Sequence, residues 1–181
     1  DMLHNLVAGD PTPERMSDCH WNSKLWQQMV DLGWTVLAIP EEQGGVGMPA
    51  VAVAGLVEEL GRAAFPCPLL PTLSATYILT ACGSGGAAAL EEIADGSTAT
   101  LVMVNQQGSW TCTDTPLVET EGKLSGTAWY VQEARKVDRL LVCARSDVGY
   151  SLYWVDSDTK GVTISPDAIV DLTRDQAHIH F

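Results

Sequence analysis

A chain of 181 residues can form one large domain or two small ones, and 46% hydrophobic with 18% charged residues is the make-up of a folded protein. Ten basic residues against 23 acidic give a formal charge of −13, which repels nucleic-acid phosphates and anionic lipid surfaces and argues against binding either. No apolar run approaches the ~20 residues that span a bilayer, and Asp1-Met2-Leu3-His4 lacks the charged-then-apolar order of a signal sequence, so a soluble cytoplasmic protein is expected. The chain does not begin with Met, and we expect it to be part of a longer polypeptide.

Asp10-Pro11-Thr12-Pro13-Glu14 reads as a turn or a helix start. Asn22 or Ser23 then caps a helix in which Leu25, Trp26, Met29 and Leu32 recur at helical spacing, with Gly33 as terminator. An apolar segment follows, Thr35-Val36-Leu37-Ala38-Ile39, and Pro40 with Gly44, Gly45 and Gly47 makes a sharp turn, since glycine reaches backbone conformations closed to other residues. This turn lacks the strand–GxGxxG–helix context of a nucleotide fold and the Lys-Ser/Thr of a phosphate loop. A second helix, Val53 to Arg62, carries Val53, Leu56, Val57 and Leu60 as an apolar stripe and leaves Glu58 and Glu59 to water or a partner. Pro66, Pro68 and Pro71 interrupt the pattern, and a third helix is expected from about Thr72 to Cys82 with Leu73, Tyr77 and Ala81 on a core face. A fourth runs from about Gly86 to Ala94, ended by Asp95-Gly96.

Beyond Gly96 the texture changes to short β-branched and aromatic runs: Thr98 to Val104, Trp129 to Val131, Leu140 to Ala144, Leu152 to Val155 and Val162 to Ile164. Helices followed by strands, without alternation, indicate two segregated domains with a boundary near residue 97. The expected class is α+β: an N-terminal helical bundle over residues 1–97, then an antiparallel β-barrel or sandwich over residues 98–181. Five cysteines, Cys19, Cys67, Cys82, Cys112 and Cys143, show no CxxC spacing and read as reduced thiols. His178 and His180 share one face of a terminal strand but lack a third ligand, and His4 and His20 have no identifiable partner, so no metal site is expected.

The order Leu32-Gly33-Trp34, Leu37, Pro40-Glu41-Glu42, Gly44-Gly45, Gly47 and Glu58-Glu59-Leu60-Gly61-Arg62 closely resembles the "LGW-x-x-L-x-x-PEE-x-GG-x-G … EELGR" signature of acyl-CoA dehydrogenases. Leu124 to Ala134, then Val137 to Val142, is similar to the family's "L-x-G-x-K-x-W-I-T-N-A … AD-x-x-LV" strand pair, and Asp171-Leu172-Thr173-Arg174 with Phe181 to its "D-x-T-R … F" segment. The resemblance implies an N-terminal helical domain and an incomplete middle β-domain, with the family's C-terminal four-helix domain absent from this chain. It also implies FAD as cofactor, an acyl-CoA thioester as substrate, α,β-dehydrogenation as reaction, and assembly into homo- or heterotetramers with a homologous subunit. Some members are heteromers with one degenerate flavin site, notably those acting on steroid-side-chain CoA esters. An anionic CoA ester is repelled at long range by this chain, so basic contacts for it must be local or come from another subunit.

The resemblance places flavin contacts at Val104, Asn105, Ser109, Tyr130 and Gln132, where the family has "T-E-P", a Gly-Ser loop and "W-I-T". Val104 cannot supply the hydroxyl of the family's Thr; Ser109 keeps a hydroxyl, Tyr130 an aromatic face and Gln132 a hydrogen-bonding end. The family's carboxylate base comes from the C-terminal domain, so no catalytic residue is assigned here. Glu41, Glu42, Glu58 and Glu59 read as solvated or helix-end carboxylates. Three functions stay open: a dehydrogenase subunit completed by other chains, a non-catalytic scaffold or partner subunit, and a lipid-binding α+β module without cofactor.

Overall fold

A computed structural model describes residues 21–171 and 174–181. His4, Cys19, His20, the Asp10–Glu14 turn and the Leu172-Thr173 part of the last motif lie outside the described residues. The described residues through Ser97, with Asp171, form one compact unit, and Thr98–Val170 with Arg174–Phe181 form a second.

In the first unit four helices are described: α1 (Ser23–Asp31), α2 (Ala50–Arg62), α3 (Leu69–Ala81) and α4 (Ala87–Ala94). Asn22 caps α1, its Oδ1 accepting from Leu25 N at 3.1 Å, which satisfies one of the amides a helix start leaves without a partner. Gly33, at φ +78°, ends it, with Trp34 N donating to Met29 O. Leu25, Trp26 and Met29 are buried as expected, but Leu32 is 53% exposed: it is the C-cap, where the chain turns off the helical spiral and out of the apolar face.

α2 begins three residues earlier than expected, with Pro49 at its N-cap, where a missing N–H costs nothing. α3 likewise starts at Leu69, so Pro71 lies inside its first turn, where no intrahelical donor is needed. The single core face expected for α3 is wrong. Leu69, Pro71, Thr72, Leu73, Ala75, Thr76 and Leu79 are buried and Ala81 is exposed; Thr72 and Thr76 fit inside because their hydroxyls donate to Pro68 O and Thr72 O.

The segment after α1 folds back on itself: Val46 N donates to Val36 O, Met48 N to Leu37 O and Gly47 N to Ile39 O. Gly44 and Gly47 take positive φ, and Gly45 is required for space, because a Cβ there would lie 2.1 Å from Ile39 O. The corner buries Ala38 and Ile39, and Ala38 joins Trp26, Met29, Val53, Leu60, Leu69 and Leu73 in one core.

The second unit holds β1 (Ala99–Val102), β2 (Val118–Thr120), β3 (Lys123–Ser125), β4 (Thr127–Gln132), β5 (Arg139–Ser146), β6 (Gly149–Asp156), β7 (Thr163–Pro166) and β8 (Gln176–His180). They form two sheets, and no closed barrel is found among the described residues. The all-antiparallel expectation is also corrected. β5 pairs antiparallel with β6 along one edge and takes β1 and then β2 in parallel along the other, while β3 extends β2. The second sheet, β4-β8-β7, is antiparallel. Val102, Leu140, Val142 and Ala144 from the first sheet meet Ala128, Val131, Ala177 and Ile179 from the second in one sandwich-like core.

Gly45→Ala should lower unfolding stability by about 2–3 kcal/mol in urea denaturation. Gly55→Ala, in an exposed helical position with nothing near a new Cβ, should raise it by roughly 0.5–1 kcal/mol. Equal effects would contradict the close approach at Ile39.

Candidate functional site

The site grows from an irregularity in β4. Ala128 pairs with Ile179 and Val131 with Ala177, so Trp129 and Tyr130 together face the single residue His178. This is a bulge, and Tyr130 absorbs it in the left-handed region at φ +57°. Trp129 stacks on His178 with ring centroids 5.0 Å apart. His178 Nδ1 in turn lies 2.9 Å from Asp167 Oδ1, whose other oxygen accepts from Gln176 Nε2.

Facing the bulge is the loop that leaves β1. Val104 is buried, and its carbonyl accepts from Trp129 N at 2.9 Å. Asn105 then organises the turn: Oδ1 accepts from Gln107 N and from Ser109 N, both at 3.0 Å, and Nδ2 donates to Asp114 O. Ser109 Oγ donates to Asp114 Oδ2 at 2.6 Å. Tyr130 reaches across and donates from its hydroxyl to Gln106 O at 3.0 Å. Four of the five positions singled out in the sequence, Val104, Asn105, Ser109 and Tyr130, are thus brought together.

Gln132, the fifth, looks elsewhere. Its Nε2 donates to Tyr130 O and to Gln176 Oε1, and its Oε1 accepts a long contact from Arg174 Nη2. The hydrogen-bonding groups of Asn105, Ser109, Tyr130 and Gln132 are therefore engaged with protein atoms, and Val104 offers a buried methyl surface. With these bonds in place, the five side chains do not fit a polar clamp for an isoalloxazine ring.

Beside the bulge lies a buried charge cluster that sequence reasoning missed. Glu133, also left-handed at φ +55°, is 1% exposed, and the Lys136 ammonium sits 2.5 Å from its Oε2 in an ionic contact without a well-aligned hydrogen bond. Arg174 approaches Oε1 at 3.6 Å. Burial pushes the Glu133 carboxyl above its ordinary value, against the smaller opposing pull of Lys136 and Arg174. Asp175 clamps the same turn, accepting from Arg135 N and Nε while its carbonyl takes Glu133 N. The one sequence clue was that Glu133 occupies the family's Asn position, a residue type at ease in the left-handed region.

His178 and His180 do share a face, but each has its own partner, Asp167 and Thr127 respectively. Among the described residues no group of three potential ligands that could hold a metal is found.

Residues 7–89 match the family model described as acyl-CoA dehydrogenase, N-terminal domain. The helical part of the chain thus resembles the N-terminal domain of acyl-CoA dehydrogenases. It is 38% identical over 103 residues to acyl-CoA dehydrogenase IpdE2 of Mycobacterium tuberculosis (strain ATCC 25618 / H37Rv), an alignment covering 54% of this chain and 32% of that protein. The chain thus spans about a third of the length of the curated relatives it matches. Among solved structures it resembles a variant of the steroid ACAD Tcur3481-Tcur3483, with a TM-score of 0.74, 24% identity, and coverage of 99% of this chain and 53% of that one. It also resembles the ChsE4-ChsE5 complex from Mycobacterium tuberculosis, with a TM-score of 0.74, 22% identity, and coverage of 99% and 51%. These likenesses, which span both compact units, establish the acyl-CoA dehydrogenase fold.

Two outcomes are expected at the buried cluster. Lys136→Met should cost roughly 3–5 kcal/mol because it strands a buried carboxylate, and the double change Glu133→Gln/Lys136→Met should recover most of that loss. Because the folded-state pKa of Glu133 lies above its unfolded value, its contribution to stability is full below the unfolded value and is lost as pH rises through the folded one. Wild type should therefore gain stability over Glu133→Gln as pH falls through that window. A gap that stays constant across a pH series of urea melts would contradict the burial.

Proposed function

We propose that this chain supplies the helical and β portions of one subunit in an acyl-CoA dehydrogenase assembly, and that the assembly carries out FAD-dependent α,β-dehydrogenation of an acyl-CoA thioester. The carboxylate base and most of the flavin contacts come from outside these 181 residues, in a homologous partner subunit or in further parts of the protein. The observation that carries this reading is that Asn105 and Ser109 bond to Asp114 within their own loop, while Tyr130 bonds Gln106 O and Gln132 bonds Gln176, so the polar side chains at the positions that resemble a flavin site are engaged with protein atoms. A steroid-side-chain CoA ester is the substrate class we favour, on the likeness to a steroid ACAD. A heteromeric arrangement is supported by the likeness to a two-component complex.

In this reading the chain's own residues shape and exclude rather than react. Tyr130 presents a partly exposed aromatic ring at the loop, and Val104 is buried beneath the Asn105 turn. The net charge of −13 leaves the binding of an anionic CoA ester to basic groups on the partner.

The test is a visible absorption spectrum of the purified chain, alone and after co-expression with a homologous subunit. A flavin band only on co-expression is the expected result. A stoichiometric band from the chain alone would overturn the assignment of flavin contacts to the partner, and no band in either sample would favour a non-catalytic scaffold.

A further inference from the structure

Two cysteines meet on the face of β5 opposite the sandwich core. Side chains alternate along a strand, so with Val142 and Ala144 in the core between the sheets, Cys143 points the other way, where it is buried against Met103 and Val104. A short 3-10 turn, Cys112–Asp114, covers this face. Its position is fixed by backbone geometry: Thr115 N donates to Cys112 O at 3.2 Å, Thr115 Oγ1 donates to Cys143 O at 2.8 Å, and Arg145 N donates to Leu117 O at 3.0 Å. Residues 115–117 therefore run beside residues 143–145, and Thr115 bonds both Cys112 O, through its amide, and Cys143 O, through its hydroxyl, which brings the two cysteines to the same place along β5. Both are free thiols; Cys112 is exposed and Cys143 is buried.

We propose that Cys112 and Cys143 form a redox-modification site, in which a hydroperoxide oxidises the exposed Cys112 and Cys143 then closes a disulfide that staples the 112–114 turn to β5. In the first step the Cys112 thiolate attacks the O–O bond of the peroxide; an S–O bond forms, hydroxide leaves, and Cys112 becomes a sulfenic acid. In the second the Cys143 sulfur attacks the sulfenic sulfur, the S–S bond forms, and hydroxide departs with the Cys143 proton as water. Two thiols lose two hydrogens and two electrons, and hydrogen peroxide is reduced to two waters.

The division of labour follows from the surroundings. Only Cys112 can meet an oxidant in solution. Burial first, then the charge and hydrogen bond of Cys112, push the Cys143 thiol up to about 11, so Cys143 is not the thiol that reacts first with peroxide. The same turn carries Asp114, the partner of Asn105 and Ser109, so the disulfide would fix the loop next to Val104.

The experiment uses the full chain treated with hydrogen peroxide, then alkylated, digested and analysed by mass spectrometry; it needs neither flavin nor activity. The expected result is a Cys112–Cys143 cross-linked peptide, an intact mass lower by two hydrogens, and reversal by dithiothreitol. Cys112→Ser, on an exposed turn where folding is not at stake, should abolish the cross-link, and Cys143→Ala should leave a Cys112 sulfenic acid that dimedone traps. The proposal is overturned if wild-type Cys112 proceeds to sulfinic acid while Cys143 stays a thiol, or if Cys112 cross-links only between chains.

Discussion

Much of the second unit depends on accommodating one extra residue in β4. Tyr130 absorbs the surplus in the left-handed region, and Glu133, just past the strand, is left-handed too, a conformation that is costly for side chains of their kind unless the surroundings over-determine it. The surroundings do so from both ends. Tyr130 is tied to Gln106 O by its hydroxyl, and Glu133 is buried against Lys136 while its amide is taken by the Asp175 carbonyl. Asp175 also holds Arg135, so residues 130–136 are pinned to β1's loop on one side and to the start of β8 on the other.

That constraint explains why the positions resembling a flavin site do not behave as free ligands. Once Tyr130 leans over residue 106, the Asn105 turn beneath it closes on Ser109 and Asp114, and Gln132 is turned toward Gln176 and Arg174. A buried ion pair adds little net stability, but removing one partner strands a buried charge, so the pair disfavours arrangements that separate its members. The Glu133–Lys136 pair is best understood in that sense, as the element that selects one path for the chain through the bulge.

Most of the architecture was legible in the sequence where the signal is local. Asn22 and Gly33 bracket α1 by capping chemistry, Gly45 marks a close approach, and the change from helical to alternating texture after Gly96 matches where helices give way to strands. Errors arose where tertiary context decides. A first-turn proline such as Pro71 is harmless to a helix, and Leu32 keeps the helical spacing but is exposed because α1 ends there. The parallel pairing of β1 with β5 depends on contacts forty residues apart that no periodicity encodes. At the site, neither the bond of Ser109 to Asp114 nor the burial of Glu133 beside Lys136 has a local sequence signal, and a bulge leaves little trace in a short strand.

The most direct measurement of this account is residue-resolved amide hydrogen exchange on wild type and Asp175→Asn. If the turn at residues 133–136 holds the loop, the variant should lose protection at Glu133 and Arg135 and, with them, at Gln107 and Ser109, whose amides bond Asn105 Oδ1 in the wild type. Loss confined to residues 133–135, with the loop amides unchanged, would show that the Asn105 turn stands by itself and would contradict the coupling on which this account rests.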